Sequence, residues 1–232
     1  MLKHTLHNET FWVWRHLLLL VLLLGLPRTS HALDLDSLID KIQSAYDNTK
    51  ALTADFVQIA TLNSINRHQT SAGRLFIDKP ASIRWEYTQP DAQTILYDGT
   101  LLRIYTPKRH QVLQTPINEQ DRHNVALLFL AGVGKIRETF DIKKLSSTES
   151  DEPILRLLPR SGQASFKELH ITIDIDTFLV EKITIHDTIG NVTTIHLYSL
   201  KTHETLPPHT FKLDVPPHTE ILTPMDFSGQ KR

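Results

Sequence analysis

The amino-acid sequence predicts a mainly β fold with some helix (α+β), built on one wide antiparallel sheet that curls on itself. Residues 73–105 alternate apolar and polar side chains with a period of two, which places Ile83, Trp85 and Tyr87 on one face. Asp98-Gly99 lies between two apolar groups and predicts a tight hairpin. About eleven strand-like segments are accompanied by only about two helical ones, so the sheet dominates the fold.

The N-terminus has the layout of a cleavable secretory signal peptide. Leu17–Leu26 is an apolar run of about ten residues, preceded by basic residues and followed by a small-residue site that ends at Ala32. A helix that crosses a membrane needs about 20 residues, and an uncleaved anchor would place Arg15 inside its apolar span at a high cost. We therefore expect a signal peptide over residues 1–32, cleavage after Ala32, and a single domain over residues 33–232.

The composition of the chain excludes several classes of protein. The absence of cysteine rules out a disulfide framework and a lipid-modified N-terminal cysteine, so the mature protein is expected to be soluble and unanchored. Residues 1–32 hold three of the 25 basic and one of the 26 acidic residues, which leaves 22 basic against 25 acidic and a net charge of −3. This charge gives no reason to expect a nucleic-acid partner.

The elements follow one another in two strand series with a helix before each. Asp36 caps an amphipathic helix that ends near Asn48, and Asn124 caps a second helix, apolar on all sides, that ends at Gly132. The predicted strands are Thr53–Leu62, Thr70–Asp78, Ser82–Tyr87, Thr94–Asp98, Leu101–Thr106, Gln111–Thr115, Phe140–Leu145, Ile154–Pro159, Lys167–Ile175, Leu179–His186, Val192–Lys201 and a last short strand over Phe211–Val215.

Two helices cannot cover a sheet of this width, so its concave face must be filled by its own side chains or by a ligand. Wide, strongly twisted sheets tend to curl, and large barrels enclose cavities. The helix at 124–131 fits either as a lid over the mouth of the curled sheet or as an ordinary core helix. For the concave face itself, the alternative to a cavity is a dry core in which the side chains pack on one another. The candidate lining residues are Ile39, Ile83, Trp85, Tyr87, Leu102, Ile104, Leu127, Leu128 and Leu130.

A search for chemistry finds no catalytic, metal or cofactor site. The chain has no Gly-x-Ser-x-Gly elbow and no cysteine nucleophile, Ser161 has no recognisable setting for a lipid hydrolase, and residues 131–136 lack the glycine and hydroxyl spacing of a phosphate-binding loop. His170, His186 and His196 each lie on the polar face of a predicted strand. This position predicts side chains exposed to solvent rather than metal ligands.

The order and spacing of several segments resemble the LolA family of periplasmic outer-membrane lipoprotein carriers. The likeness spans nearly the whole mature chain, and no single motif is diagnostic by itself. The segments that carry it are Leu38–Ile42, Ala54–Gln58, Asp78–Tyr87 with Pro90, the Asp98-Gly99 hairpin, Tyr105-x-Pro107 and Phe211–Pro217.

The resemblance implies an incomplete β-barrel, capped by a few helices, around a hydrophobic cavity that accepts the acyl chains of a lipoprotein. It implies a monomer without a cofactor, acylated lipoproteins as cargo, an ABC-type inner-membrane extractor as donor and a LolB-like outer-membrane receptor as acceptor. The alternative is a regulatory module that senses lipids or lipoproteins on the same half-barrel, but such regulators usually carry a second domain that this chain is too short to hold.

One position departs from the family pattern. Members commonly have arginine directly before the proline of the Asp78–Tyr87 segment, where it hydrogen-bonds helix carbonyls and holds the lid shut. Lys79 occupies that position here. An ammonium group can donate to carbonyls but lacks the planar fork of guanidinium, so we expect Lys79 to be a weaker latch. By strand parity, Arg84 points to the face opposite Trp85. It therefore cannot take the place of the family's latch arginine from within the cavity.

Overall fold

The computed structural model describes residues 34–117, 135–145, 152–160 and 166–223. These residues form one 12-stranded sheet with helices α1 (Leu35–Asn48) and α2 (Ile136–Thr139). None of the helices in these ranges is long and apolar enough to cross a membrane. The strands are β1 (Ala51–Leu62), β2 (Arg67–Asp78), β3 (Ser82–Gln89), β4 (Gln93–Asp98), β5 (Leu101–Thr106), β6 (Gln111–Pro116), β7 (Phe140–Leu145), β8 (Ile154–Pro159), β9 (Phe166–Ile173), β10 (Val180–Asp187), β11 (Val192–His203) and β12 (Glu220–Leu222).

The mainly β, curled and open sheet predicted from the sequence is confirmed. The first helix and eleven of the predicted strands are present, with ends that differ by a few residues. The predicted signal peptide, the helix at 124–131 and its side chains Leu127, Leu128 and Leu130 lie outside the described residues.

The predicted last strand over Phe211–Val215 is wrong. Residues 208–211 form a 3₁₀ helix, and residues 212–216 belong to no strand. Its apolar and polar residues alternate as in a strand, but prolines at both ends restrict the backbone and remove N–H donors. The true last strand, β12, pairs in parallel with β6, so the sheet is antiparallel except at this edge.

Two meanders of consecutive antiparallel strands make up the sheet. The strand order β12-β6-β5-β4-β3-β2-β1-β11-β10-β9-β8-β7 shows that β1–β6 form one meander and β7–β11 the other. The two are joined by the pairing of β1 with β11, from Ala51 opposite His203 to Thr61 opposite Val192. This single long-range pairing makes one continuous sheet from two locally connected halves.

The C-terminal segment crosses the outer face of the first meander and is held there by side chains from the sheet. Arg84 donates from Nη1 to the carbonyl oxygens of Lys212 at 3.1 Å and Thr210 at 3.4 Å, which confirms that it points away from the Trp85 face. The Asp78 carboxylate accepts a hydrogen bond from the Leu206 backbone N–H at 3.3 Å. On the same outer face, Leu96, Tyr105 and Val112 are buried. The first meander therefore also buries apolar side chains on its outer face.

The Asp98-Gly99 hairpin forms as predicted. Gly99 has a φ of +97°, a conformation that other residues adopt only with strain. Burial alone would raise the pKa of Asp98, but hydrogen bonds from Leu101, Thr100 and Arg103 outweigh it and lower that pKa to about 2. The carboxylate therefore stays ionised and fixes the turn between β4 and β5.

Candidate functional site

The inner face of the sheet is built from apolar side chains that the strand register places in rows. One row runs from Ile77 through Ile83 and Tyr97 to Leu102, each directly opposite the next across neighbouring strands. The row beside it runs Leu75, Trp85, Ile95, Ile104 and Leu113. Because side chains alternate between faces along a strand, both rows project to the same side.

An aromatic cluster forms the centre of this face. The ring of Phe56 lies 4.7 Å from that of Trp85 and 5.0 Å from that of Tyr87, with the latter pair edge to face. Phe56 and Tyr87 flank Gly73 of β2, and because this glycine has no side chain the two rings meet across it. The cluster fixes the position of Trp85, which is completely buried.

Burial is uneven along the inner face. Ile83 and Trp85 have almost no exposed surface, as does Ile39 on the apolar stripe of α1. The side chains farther towards the β6 edge are only partly buried, although they are apolar; they are Ile95, Leu102, Ile104 and Leu113. Partly exposed apolar side chains arranged in rows offer a surface on which an apolar ligand can lie.

The aromatic cluster borders a polar end of the same face. The Tyr87 hydroxyl donates to Gln58 Oε1 at 2.9 Å, and burial raises the pKa of this hydroxyl to about 12, opposed by the nearby indole N–H of Trp85. That N–H has no hydrogen bond of acceptable geometry within the described part of the chain. Beyond Tyr87 lies an opening of about 560 Å³, lined by polar residues that include Gln58, Ser71 and Gln93.

The C-terminal end of α1 is fixed by Lys79 from the turn between β2 and β3. The Lys79 ammonium donates to the carbonyl oxygen of Tyr46 and lies 5.8 Å from the centre of the Tyr46 ring. The Lys79 backbone N–H donates to the Lys50 carbonyl at 2.9 Å. A cation at a helix C-terminus also interacts favourably with the helix dipole. Lys79 therefore contacts a carbonyl of the last turn of α1.

Tyr46 links the same end of α1 to the second meander. Its hydroxyl accepts a hydrogen bond from the Val180 backbone N–H at 3.3 Å, and burial raises the pKa of this hydroxyl to about 12. Burial also lowers the pKa of Lys79, while the charge of Asp47 acts in the opposite direction. Since both the ammonium and the amine can donate to a carbonyl, the contact with Tyr46 does not depend on a fully charged Lys79.

A second cation fixes the N-terminal half of α1, and sequence reasoning missed it. Arg137 of α2 donates to the carboxylates of Asp36 at 2.8 Å and Asp40 at 3.0 Å, and to the Asp36 carbonyl. The Ile136 backbone N–H donates to Gln43 Oε1 at 3.0 Å. About 100 residues separate these partners, so no local pattern could have indicated the contact. Arg137 and Lys79 together hold α1 at both ends.

The structure thus places five predicted lining residues, Ile83, Trp85, Tyr87, Leu102 and Ile104, on one face of the sheet. Ile39 lies on the buried stripe of α1, and Lys79 touches that helix. Phe56, Ile95 and Leu113 belong to the same face and were not predicted as lining residues, although the same alternation would have found them.

Comparison with known proteins gives one consistent result. A family model described as outer membrane lipoprotein carrier protein LolA matches residues 47–214. The outer-membrane lipoprotein carrier protein of Pseudomonas fluorescens (strain Pf0-1) is 27% identical over 195 residues, which cover 84% of this chain and 91% of that protein. The protein of the same name from Methylococcus capsulatus is 26% identical over 182 residues, with coverages of 78% and 86%.

A solved structure agrees on the fold. An uncharacterized conserved protein from Thermus thermophilus superimposes with a TM-score of 0.51 at 11% identity, over 81% of this chain and 98% of that one. The family model covers most of the described sheet, including every strand on which the inner face is built. The chain therefore belongs to the LolA family of outer-membrane lipoprotein carrier proteins.

Proposed function

We propose that this protein binds the acyl chains of lipoproteins released from the inner membrane and carries them through the periplasm to the outer membrane. Its family consists of transport proteins without catalytic activity. The observation that supports acyl binding most directly is the row of partly exposed apolar side chains beside the aromatic cluster, formed by Ile95, Ile104 and Leu113. Ile39, Ile83, Trp85, Tyr87, Leu102 and Ile104, with Leu127, Leu128 and Leu130, are the proposed lining residues.

The burial pattern suits a carrier that must also release its cargo. Shielding an acyl chain from water stabilises the complex by about 0.8 kcal/mol per methylene group. A carrier that covered three chains completely would hold them too tightly to deliver them. An inner face that is dry around Trp85 and partly exposed at Leu102 and Ile104 provides a surface of intermediate affinity.

The proposal extends to export and partners. A signal peptide over residues 1–32, cleaved after Ala32, would direct the chain to the periplasm as a soluble protein. An ABC-type extractor of the inner membrane would supply the cargo, and a LolB-like receptor of the outer membrane would accept it.

Binding of matched lipoproteins tests the acyl-binding role. The purified protein is expected to form a stable complex with a triacylated lipoprotein and none with the same lipoprotein lacking its acyl chains, measured by size-exclusion chromatography. Mass spectrometry of ligand that co-purifies from the periplasm should identify triacylated lipoprotein. Equal binding of both forms would contradict the proposal, and recovery of only free fatty acid or phospholipid would point to a general lipid binder.

We further propose that Lys79 acts as a latch that restrains α1 over the inner face. Its contact with the Tyr46 carbonyl joins the turn between β2 and β3 to the helix end that also contacts Val180. Release of this contact would loosen the C-terminal end of α1, which Tyr46 still joins to Val180, while Arg137 holds the other end. Lys79 would then control the rate at which cargo enters and leaves.

Lys79→Ala is expected to speed amide hydrogen exchange in the last turn of α1 and release of acyl cargo, each about fivefold. This factor corresponds to about 1 kcal/mol, which is below the usual value of about 1.5–3 kcal/mol for a hydrogen bond to a charged group because Lys79 is only partly buried. Lys79→Arg should slow both, since guanidinium can engage more than one carbonyl. Hydrogen exchange with mass spectrometry and a stopped-flow release assay measure the two rates.

Lys50→Ala is the matched control for this latch. Lys50 lies just beyond the same helix end and pairs with Glu204, but the two side chains are 68% and 86% exposed, so the pair contributes little. If Lys79→Ala changed neither rate more than Lys50→Ala does, Lys79 would have no latch role.

A further inference from the structure

The outer face of the second meander brings together three side chains with metal-ligating atoms. Glu168 and His170 are two residues apart on β9 and so project to the same side, and His186 of β10 lies directly opposite Glu168. One ligand atom from each of the three lies within 4.8 Å of the other two. Among the described residues, no other group of three or more His, Cys, Asp or Glu side chains comes this close together.

The spacing of two of the three groups is close to the spacing of ligand atoms around a bound metal ion. Glu168 Oε1 and His170 Nε2 are 3.1 Å apart, and the rings of His170 and His186 have their centres 4.8 Å apart. Ligands at about 2.0–2.1 Å from a tetrahedral zinc ion lie about 3.3 Å from one another. Glu168 Oε1 and His170 Nε2 therefore already have about the required separation, and a ligand atom of His186 lies within 4.8 Å of both side chains.

Neighbouring charge orients the carboxylate. Arg156 of β8 donates from Nε at 2.8 Å and from Nη2, both to Glu168 Oε2, which leaves Oε1 directed at His170. A hydrogen bond that holds the far oxygen of a ligating carboxylate is the usual support for a metal site. The guanidinium also places a positive charge nearby, which weakens the attraction of a cation, so we expect moderate rather than very tight binding.

We propose that Glu168, His170 and His186 form a binding site for a divalent transition-metal ion, with Zn²⁺ as the best match. Two imidazoles and one carboxylate are a common zinc set, and the partly exposed position leaves a fourth coordination place open to water. The site lies on the face opposite Leu169 and Ile171, which point to the inner side, so it is separate from the proposed acyl-binding surface. A bound ion would join β9 to β10.

Zinc titration of the purified protein tests this site. The probe is ZnCl₂ alone, added to tag-free protein from which metal has been removed with EDTA, in competition with a chromogenic chelator. The wild type is expected to bind one Zn²⁺ per chain, and His170→Ala and His186→Ala should each weaken binding by about 100-fold because one of three protein ligands is lost. Co²⁺ should give the visible absorption of a tetrahedral site in the wild type and not in these two variants.

His196→Ala is the matched control, because His196 lies on the same outer face, on neighbouring β11, and is not part of the group. This variant should bind Zn²⁺ as the wild type does.

Circular dichroism in EDTA verifies that each variant is folded, which we expect because the replaced side chains lie on the solvent side of the sheet. ZnCl₂ should raise the thermal midpoint of the wild type and leave that of His170→Ala unchanged. Wild-type affinity no higher than that of the double variant His170→Ala/His186→Ala would overturn the proposal, as would an equal loss in His196→Ala.

Discussion

Ile104→Glu is expected to weaken binding of acylated lipoprotein by at least about 30-fold while the protein remains folded. Ile104 lies on the inner face in the row of Trp85 and Ile95, and it is partly exposed, so in the free protein the new carboxylate can reach water. A bound acyl chain would cover that carboxylate, and desolvation of a charge without a partner costs at least about 2 kcal/mol. Titration with a lipoprotein that carries a fluorescent acyl chain measures the affinity.

Ile59→Glu supplies the matched control for this experiment. Ile59 is 39% exposed and projects to the outer face of β1, since its neighbour Gln58 projects to the inner one. The same change of residue there should leave affinity within about twofold. The milder Leu102→Gln on the inner face should give an intermediate loss. If all three variants bound cargo equally well, the inner face would be a dry core and the cargo would lie elsewhere.

Gly73→Ala is expected to lower the free energy of unfolding by about 3 kcal/mol or more. A Cβ atom at residue 73 would overlap the carbonyl oxygen of Glu86 and lie 2.9 Å from the Cα of Tyr87. Both contacts are with backbone of the adjacent strand, so β2 and β3 would have to separate. This separation of the strands would also disturb the edge-to-face contact between the rings of Phe56 and Tyr87. Urea unfolding gives the stability, and tryptophan fluorescence reports the surroundings of Trp85.

Gly190→Ala distinguishes this steric effect from the general cost of replacing glycine. Gly190 lies in the turn between β10 and β11 with a φ of +94°, and no atom lies within 4 Å of the position its Cβ would occupy. Alanine there meets only the backbone penalty of a left-handed conformation, about 1 kcal/mol. A cost for Gly73→Ala no larger than this would show that β2 and β3 can move apart easily.

Local patterns in the sequence were sufficient to predict most of the sheet. Alternation in β3 and turn chemistry at Asp98-Gly99 each act within a few residues, and both agree with the structure. The same alternation failed at Phe211–Val215, because a strand also needs a neighbour with free donors and acceptors. The backbone around that segment instead supplies the carbonyl oxygens of Thr210 and Lys212 to Arg84. Alternation alone therefore does not say whether a strand partner exists.

The contacts that were not predicted depend on how strands pair and how helices pack in three dimensions. His170 and His186 look like separate solvated residues in the sequence, and only the pairing of β9 with β10 brings them together beside Glu168. Arg137 reaches Asp36 and Asp40 because α2 lies beside α1, which no spacing along the chain specifies. For Lys79, the family resemblance directed attention to a helix carbonyl, and the structure identifies that carbonyl as the one of Tyr46.

The junction between β1 and β11 has a consequence for the order in which the molecule can fold. A polypeptide emerges from its N-terminus, so β1 and β2 are available early, whereas β11 follows only after most of the domain has been made. Until then, β1 has one edge without a partner, and exposed strand edges promote aggregation. Chains that end before Val192 would keep that edge permanently. The newly made protein therefore depends on β11, one of its last strands, to close the sheet.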